Sequence, residues 1–245
     1  MLPVAILAGG LATRLRPVTE RIPKSLVEVA GEPFIIHQLR LLQARGVRRV
    51  VLCVGFLGEA IERVVGDRCY GIEVAYSWDG PALRGTAGAI KNALPLLGRE
   101  FMVVYGDSYL PCGYGAVESA FFRSGDEALM TVFRNNGLWD ASNVEWNGRS
   151  IVAYDKRNRT PRMQHIDYGL GVFRATAFER VPVEGSYDLA ELYAGLLAEG
   201  QLASYEVPER FYEVGSFSGL AELSRLLESQ QAQANKARTG IGELA

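Results

Sequence analysis

The chain has 245 residues, 48% hydrophobic and 22% charged, which is enough to bury a full core and allows one large α/β domain. With 26 Lys and Arg against 28 Asp and Glu the formal net charge is −2, so no bulk positive field draws the chain to nucleic acid or an acidic membrane. Any anion site must be built locally. No apolar run approaches the roughly 18 residues of a membrane span and no short apolar stretch follows a charged start, which predicts a cytoplasmic protein. Cys53, Cys69 and Cys112 lack paired or CxxC spacing, so reduced thiols are expected rather than a disulfide framework or a zinc site.

The apolar run Val4-Ala5-Ile6-Leu7 reads as a buried parallel strand that delivers a loop to its carboxyl end, where open α/β sheets bind ligands. In that loop Gly9 and Gly10 let backbone N–H groups approach an anion, and Thr13, Arg14, Arg16 and Lys24 add a hydroxyl and three cations. A polyanion is the expected ligand. The segment has neither the G-x-x-x-x-G-K-[ST] of a P-loop nor the G-x-G-x-x-G of a dinucleotide fold, so both of those phosphate loops are excluded.

Further on, Phe34–Leu42 reads as a helix between Pro33 and Gly46, Val50–Val54 as a strand, Leu57–Val65 as a helix and Ile72–Tyr76 as a strand. This alternation favours a parallel sheet covered on both faces, with His37 packed in the core. Small residues from Gly85 open a helix to about Leu97, and the strand Phe101–Tyr105 ends in Gly106-Asp107-Ser108. A carboxylate there is placed where a hard cation could bridge it to a phosphate. The second half changes character. Strands are expected at 128–133 and 143–146, at 151–154 across an Asn147-Gly148 turn, and at 166–173. Asp155-Lys156 follows the turn; a helix runs from Ser186 to about Leu197, with Ser186 and Asp188 read first as its caps, and a last helix spans Phe217–Leu227. Residues 1–229 are expected to form a single domain. The Gln-, Ala- and Lys-rich stretch 230–245 is read as a frayed helix or a disordered tail.

Taken together, Gly9-Gly10, Thr13-Arg14-Leu15, Pro17, Thr19 and Pro23-Lys24 resemble the signature of the sugar-1-phosphate nucleotidyltransferases, and the likeness extends over about residues 1–229. The resemblance implies a Rossmann-like, mostly parallel mixed sheet flanked by helices on both faces, with a smaller sugar-side β subregion. It implies Mg²⁺-dependent transfer of a nucleoside monophosphate from an NTP to a sugar 1-phosphate, with release of pyrophosphate. Arg14 would then hold the leaving pyrophosphate and Lys24 the α-phosphate or the sugar phosphate. Leu7, Ala8, Gly9, Gly10, Thr13, Asp79, Gly85, Thr86 and Ala87 would line the nucleotide pocket. Asp155, Lys156, Tyr168, Gly169 and Asp188 would serve the sugar phosphate, and Asp107 with Glu213 the metal.

Four positions depart from the family pattern: Ala12 stands for a glycine, Arg84 for an apolar residue, Asp155 for Glu and Glu213 for Asp. A phosphate monoester is already anionic at pH 7, because its second pKa is about 6, so no general base is required. That suits a sequence whose two histidines are His37 and His165. Tyr105-Gly106-Asp107-Ser108 in a short chain resembles the heptose- and mannose-1-phosphate guanylyltransferase branch. GTP is therefore the expected donor, and Asp79 either reads guanine or only starts a turn. A UTP- or dTTP-using enzyme and a non-catalytic regulator that keeps the pocket are the alternatives. The expected partners are the two substrates alone, in a monomer or small homo-oligomer, without nucleic acid or membrane.

Overall fold

A computed structural model describes residues 1–10, 22–55, 57–80 and 84–242. Strand β1 (Val4–Leu7), the short pair β2 (Glu28–Val29) and β3 (Glu32–Pro33), helix α1 (Phe34–Ala44), β4 (Arg49–Val54), α2 (Gly58–Val65), β5 (Arg68–Cys69), β6 (Ile72–Trp78), α3 (Gly85–Leu97) and β7 (Glu100–Tyr105) make up the first half. There follow β8 (Ser108–Tyr109), α4 (Tyr114–Ser124), β9 (Ala128–Arg134), β10 (Val144–Trp146), β11 (Ile151–Tyr154), β12 (His165–Arg174), α5 (Leu189–Ala198), β13 (Leu202–Glu206), β14 (Tyr212–Glu213) and α6 (Phe217–Gly242).

The main sheet runs β11-β10-β12-β7-β1-β4-β6-β5, with β9 paired to β12 and β13 paired to β9. β1 lies parallel between β4 and β7, and β6 is parallel to β4. Val4, Ala5 and Ile6 have no exposed surface. The reason is that the sheet is covered twice: Val4, Ile6, Leu52 and Val54 pack with Ile35, Leu39 and Ile61 on one face, while Ala5, Val51 and Val103 pack with Ile90, Ala93 and Leu192 on the other. A third apolar cluster joins α6 through Leu223 and Leu227 to Phe34, Tyr109 and Val214. His37 is buried in α1, with its Nε2 2.7 Å from the Val29 carbonyl oxygen.

The strands of the second half pair differently, and this creates a gap. β12 pairs antiparallel with β7 from Leu170 to Arg174, but at His165 that edge belongs to β10. Residues 166–169 have no strand on that edge among the described residues. Against β9 the register slips between Asp167 and Gly171, with Gly169 at φ 99°, a conformation open to glycine.

Three elements depart from expectation. Helix α4 and strand β13 fill stretches for which the sequence predicts nothing; in α4, Gly115, Ala116, Ser119 and Ala120 weaken the apolar period. Helix α6 continues through Gly242 rather than stopping near Leu227, since the Gln, Ala and Lys beyond it are good helix formers. No described helix is long and apolar enough to cross a membrane.

Candidate active site

The carboxyl ends of β1 and β7 meet on the floor of a cleft of about 520 Å³. Gly106 donates its N–H to the Leu7 carbonyl at 3.0 Å, and any Cβ at Gly106 would overlap that carbonyl, so only glycine lets the two strand ends close together. Immediately after it, Asp107 projects into the cleft, its side chain 32% exposed. Its Oδ2 accepts a hydrogen bond from Lys24 Nζ at 2.6 Å and its Oδ1 one from the Ser108 hydroxyl at 3.3 Å. Gln38 fixes the turn from below, because its Nε2 donates to the carbonyls of Tyr105 (3.0 Å) and Ser108 (2.9 Å). The sequence pattern does not single out Gln38, which sits in α1 as one polar residue among apolar ones.

At the other end of the cleft Asp79 is only 6% exposed, and a Cβ on Gly9 would come within 3.1 Å of its Oδ2. Its Oδ1 is buried without a hydrogen-bond partner among the described residues. Burial pushes this carboxyl above its ordinary value, with Arg84 pulling the other way. An ionised carboxylate held between glycines, with one oxygen unpaired, is costly unless a ligand supplies the missing donors.

The wall between these ends is stitched from two distant segments. Asp188 stands at the N-cap position of α5 without a side-chain capping bond; its Oδ1 instead accepts from the Thr86 N–H (3.2 Å) and hydroxyl (3.3 Å), while Thr86 Oγ1 accepts from Leu189 N–H at 2.7 Å. The N–H groups of Ala87 and Gly88 both donate to the Tyr187 carbonyl, and Tyr187 N–H donates to Arg84 O. Gly85 (φ 72°) permits this approach, since a Cβ there would lie 2.6 Å from Tyr187 O.

A second hollow of about 220 Å³ opens in the gap beside β12 and shares Tyr105 with the main cleft. Lys156 lies on its border, with Nζ 3.6 Å from Asp167 Oδ2 and 3.4 Å from the Tyr105 hydroxyl. Burial disfavours the lysine charge, but Asp167 and Tyr105 outweigh it and hold the ammonium above its ordinary pKa. The Asp167 side chain is 4% exposed, and its Oδ2 has no hydrogen-bond partner among the described residues. Asn143 accepts the Asp167 N–H at 2.9 Å. A Cβ on Gly169 would stand 3.3 Å from the Tyr105 ring, so this glycine admits the tyrosine that separates the two spaces.

Of the expected site residues, Leu7, Ala8, Gly9, Gly10, Lys24, Asp79, Gly85, Thr86 and Asp107 line the main cleft. Thr13 and Arg14 lie outside the described residues. Ala87 does not line the cleft; it is fully buried, and its N–H is already bonded. The helix-start donors assigned to the nucleoside are thus used by the 187–188 segment. Asp188, expected on the sugar side, stands in the main cleft beside Thr86. Tyr168 is buried on the opposite face of β12 against Phe133 and Phe211, because strand residues alternate and Asp167 takes the hollow side. Asp155 closes its own turn, accepting from the N–H groups of Arg157 (2.7 Å) and Asn158 (2.8 Å), and these bonds hold its carboxyl below the ordinary value. Asp140, Asn143, Asp167 and Ser186 are cleft or hollow residues that the site assignment missed. For Asp167 a signal existed, an acid inside an otherwise apolar strand.

Glu213 is not among the residues that line the cleft, although its carboxylate bonds to Gly215, which is. Its carboxylate accepts from the Gly215 N–H and from the Ser216 hydroxyl (2.5 Å), and Ser216 Oγ in turn accepts the Gly219 N–H at 3.0 Å in the first turn of α6. Both oxygens thus accept hydrogen bonds from the segment that opens α6. Glu213→Ala is expected to cost about 1 kcal/mol of stability, a fall of roughly 2–4 °C in Tm, with the Mg²⁺ titration of activity unchanged. Calorimetry beside that titration checks both; a shifted Mg²⁺ midpoint would return Glu213 to the metal.

Residues 4–136, more than half of the chain, match the sequence pattern of the family described as Nucleotidyl transferase. The mannose-1-phosphate guanyltransferase of Neurospora crassa is 30% identical over 229 residues, covering 86% of this chain and 60% of that protein, so the chain spans only 60% of that relative's length. The N-acetylmuramate alpha-1-phosphate uridylyltransferase of Neisseria meningitidis serogroup B is also 30% identical over 229 residues, covering 90% of this chain and 96% of that one. Among solved structures, HddC from Yersinia pseudotuberculosis complexed with GMP-PN has the same fold, with a TM-score of 0.76, 23% identity and coverage of 93% of this chain and 100% of that chain. With its glycine-closed strand ends, its Lys24–Asp107 floor and this sequence match, the chain belongs to the nucleotidyl transferase family.

Proposed function

We propose that the chain transfers a nucleoside monophosphate from an NTP, with GTP preferred, to a hexose or heptose 1-phosphate, releasing pyrophosphate. The observation that carries this reading is the Lys24–Asp107 pair on the cleft floor, a cation and a carboxylate at the meeting of two strand ends. Lys24 would take a phosphate oxygen, and Lys156 on the border of the second hollow would receive the acceptor phosphate. Arg14 is assigned to the leaving pyrophosphate on the resemblance alone. The attacking phosphate is already an anion, so the site has to bring two polyanions together and screen them rather than remove a proton. Consistent with that, His37 bonds a backbone carbonyl and His165 pairs with Glu206, and neither lines either space.

The residues fit Mg²⁺ as an ion carried by substrate phosphates. No group of three or more His, Cys, Asp or Glu capable of holding a metal occurs among the described residues, and Asp107 is a partly exposed carboxylate facing the phosphate end. Mg²⁺ commonly takes one or two carboxylates and completes its shell with phosphate oxygens and water. When bound it would supply charge neutralisation at the phosphates. The protein's part is to hold Asp107 there, through Gln38 and the Val214 N–H that donates to Asp107 O at 2.9 Å.

Guanine is favoured because Asp79 offers a buried acceptor with no partner among the described residues, and guanine presents two adjacent donors, N1–H and its amino group. Uracil presents one N–H between two carbonyls, which a carboxylate would repel. Residues 1–229 are read as the catalytic unit. Pyrophosphate release with four NTPs and several sugar 1-phosphates tests the reaction, and a regulator would give none. Asp79→Ala is expected to reduce GTP-over-UTP discrimination by roughly 1–3 kcal/mol. A wild-type preference for UTP or dTTP, or the same selectivity in the variant, sinks the guanine assignment.

A further inference from the structure

The hollow beside β12 has a side wall that none of the roles above uses. It is the loop 135–143, which brings Asp140, Ala141 and Asn143 to the lining opposite Lys156 and Asp167. The loop is built from within by Asn135, a fully buried amide whose Nδ2 donates to the Asp140 carbonyl (2.6 Å) and the Ser142 hydroxyl (3.1 Å) and whose Oδ1 accepts the Trp139 N–H at 3.3 Å. It is also gripped from outside. The Arg210 guanidinium carbon lies 3.4 Å from the centre of the Trp139 ring and 4.7 Å from that of Tyr212, while Arg210 pairs with Glu222 of α6. Tyr212 belongs to β14, which pairs with β8 next to Asp107. A wall fixed at both ends to buried or stacked groups presents its side chains at a set position.

What it presents is a carboxylate. Asp140 Oδ1 accepts only the adjoining Ala141 N–H, at 2.6 Å, and among the described residues no cation lies within ion-pair distance, although Arg159 lines the same hollow. Arg159 instead donates through Nε to the Lys156 carbonyl at 3.1 Å. The floor carries the independent sign of a ligand: the Asp167 carboxylate is more than nine-tenths buried, and its Oδ2, which the Lys156 ammonium approaches only to 3.6 Å, has no hydrogen bond among the described residues. Two acceptor carboxylates facing a space of about 220 Å³ suit a single sugar ring that offers hydroxyl donors. A ring carrying its own carboxylate is disfavoured on the Asp140 side, because Asp140 has no cation at ion-pair distance among the described residues, whereas Lys156 is paired to Asp167 and Arg159 bonds the Lys156 carbonyl.

We propose that Asp140 is a specificity-determining residue for the acceptor, reading ring hydroxyls of a glycosyl 1-phosphate without a second acidic group, and that the Trp139–Arg210 stack positions it. This rests on the transferase reading and deepens it. The loop side chain, rather than Asp155, supplies the sugar-side acid, because Asp155 spends its oxygens on its own turn.

The test compares mannose 1-phosphate with N-acetylmuramate 1-phosphate, by calorimetric binding and by turnover, in the wild type and in Asp140→Asn, Trp139→Ala and Trp139→Phe. The wild type is expected to bind and use the mannose compound at least tenfold better. Asp140→Asn should raise the KM for mannose 1-phosphate about tenfold, leave the KM for the NTP within twofold, and shrink the preference over the muramate. Trp139→Ala should do the same to the acceptor KM, and Trp139→Phe, which keeps a ring over Arg210, should restore it. An unchanged acceptor KM in Asp140→Asn, an equal rise in the NTP KM, a failure of Trp139→Phe to rescue, or a wild-type preference for the muramate each overturn the proposal. Binding of mannose 1-phosphate that depends on Asp140, without nucleotide-sugar formation, would keep the proposal and sink the transferase reading; no binding of either compound would sink the proposal by itself.

Discussion

Replacing Asp107 by asparagine is expected to lower turnover by about 10²-fold or more while the protein stays folded. The substitution preserves shape, so the Ser108 hydroxyl and the backbone bond from Val214 keep their partners. What disappears is the negative charge of Asp107 at the meeting of β1 and β7, now held against Lys24. Without it, two cations on the phosphate side, Lys24 and the proposed Mg²⁺, would face each other with no anion of the protein between them. Steady-state turnover on the best substrate pair, beside circular dichroism, reads the effect. A loss of less than fivefold in a folded variant would remove Asp107 from the chemistry.

The sheet was legible because its strands are written as short apolar runs, and such runs are buried on both faces only in a parallel sheet with helices on each side. The strand ends were legible for a related reason: Gly106 stands where the Leu7 backbone comes too close for a side chain, and at Gly9 a Cβ would sit tightly, 3.1 Å from the Asp79 carboxylate. Contacts between distant segments could not be read. Nothing near Thr86 announces that its N–H and hydroxyl will be taken by a carboxylate 102 positions later. Nor does the Glu213 segment show that its acid bonds to Gly215 and Ser216. The choice between Asp167 and Tyr168 was half legible. Alternation says they face opposite ways, but which way is the hollow depends on β12 leaving β7 for β10, a pairing among four separate strands. That Asp155 closes its own turn could have been read locally, since Asp followed by a polar run forms an Asx turn at least as readily as it binds a ligand.

Lys24→Met should be nearly as damaging as loss of Asp107, yet move metal binding the opposite way. The lysine occupies the carboxylate oxygen that a cation would need, at 2.6 Å and with its own side chain only 15% exposed. An ammonium at that oxygen repels a divalent ion and neutralises the carboxylate that would attract it, so in the free protein Lys24 competes with Mg²⁺, and NTP phosphates would relieve the competition by drawing the ammonium onto themselves. Methionine keeps much of the length and removes the charge. Turnover is expected to fall about 10²-fold, because a fixed cation is lost where phosphate charge develops. The affinity of the nucleotide-free protein for Mn²⁺, used as a paramagnetic stand-in for Mg²⁺ and titrated by electron paramagnetic resonance, is expected to rise about tenfold, since Asp107 is left without its internal counter-ion. Asp107→Asn should abolish that binding in both backgrounds. If Lys24→Met leaves Mn²⁺ affinity where it was, the ion does not use the oxygen that Lys24 holds, and the cation at this cleft is carried by nucleotide phosphates without Asp107.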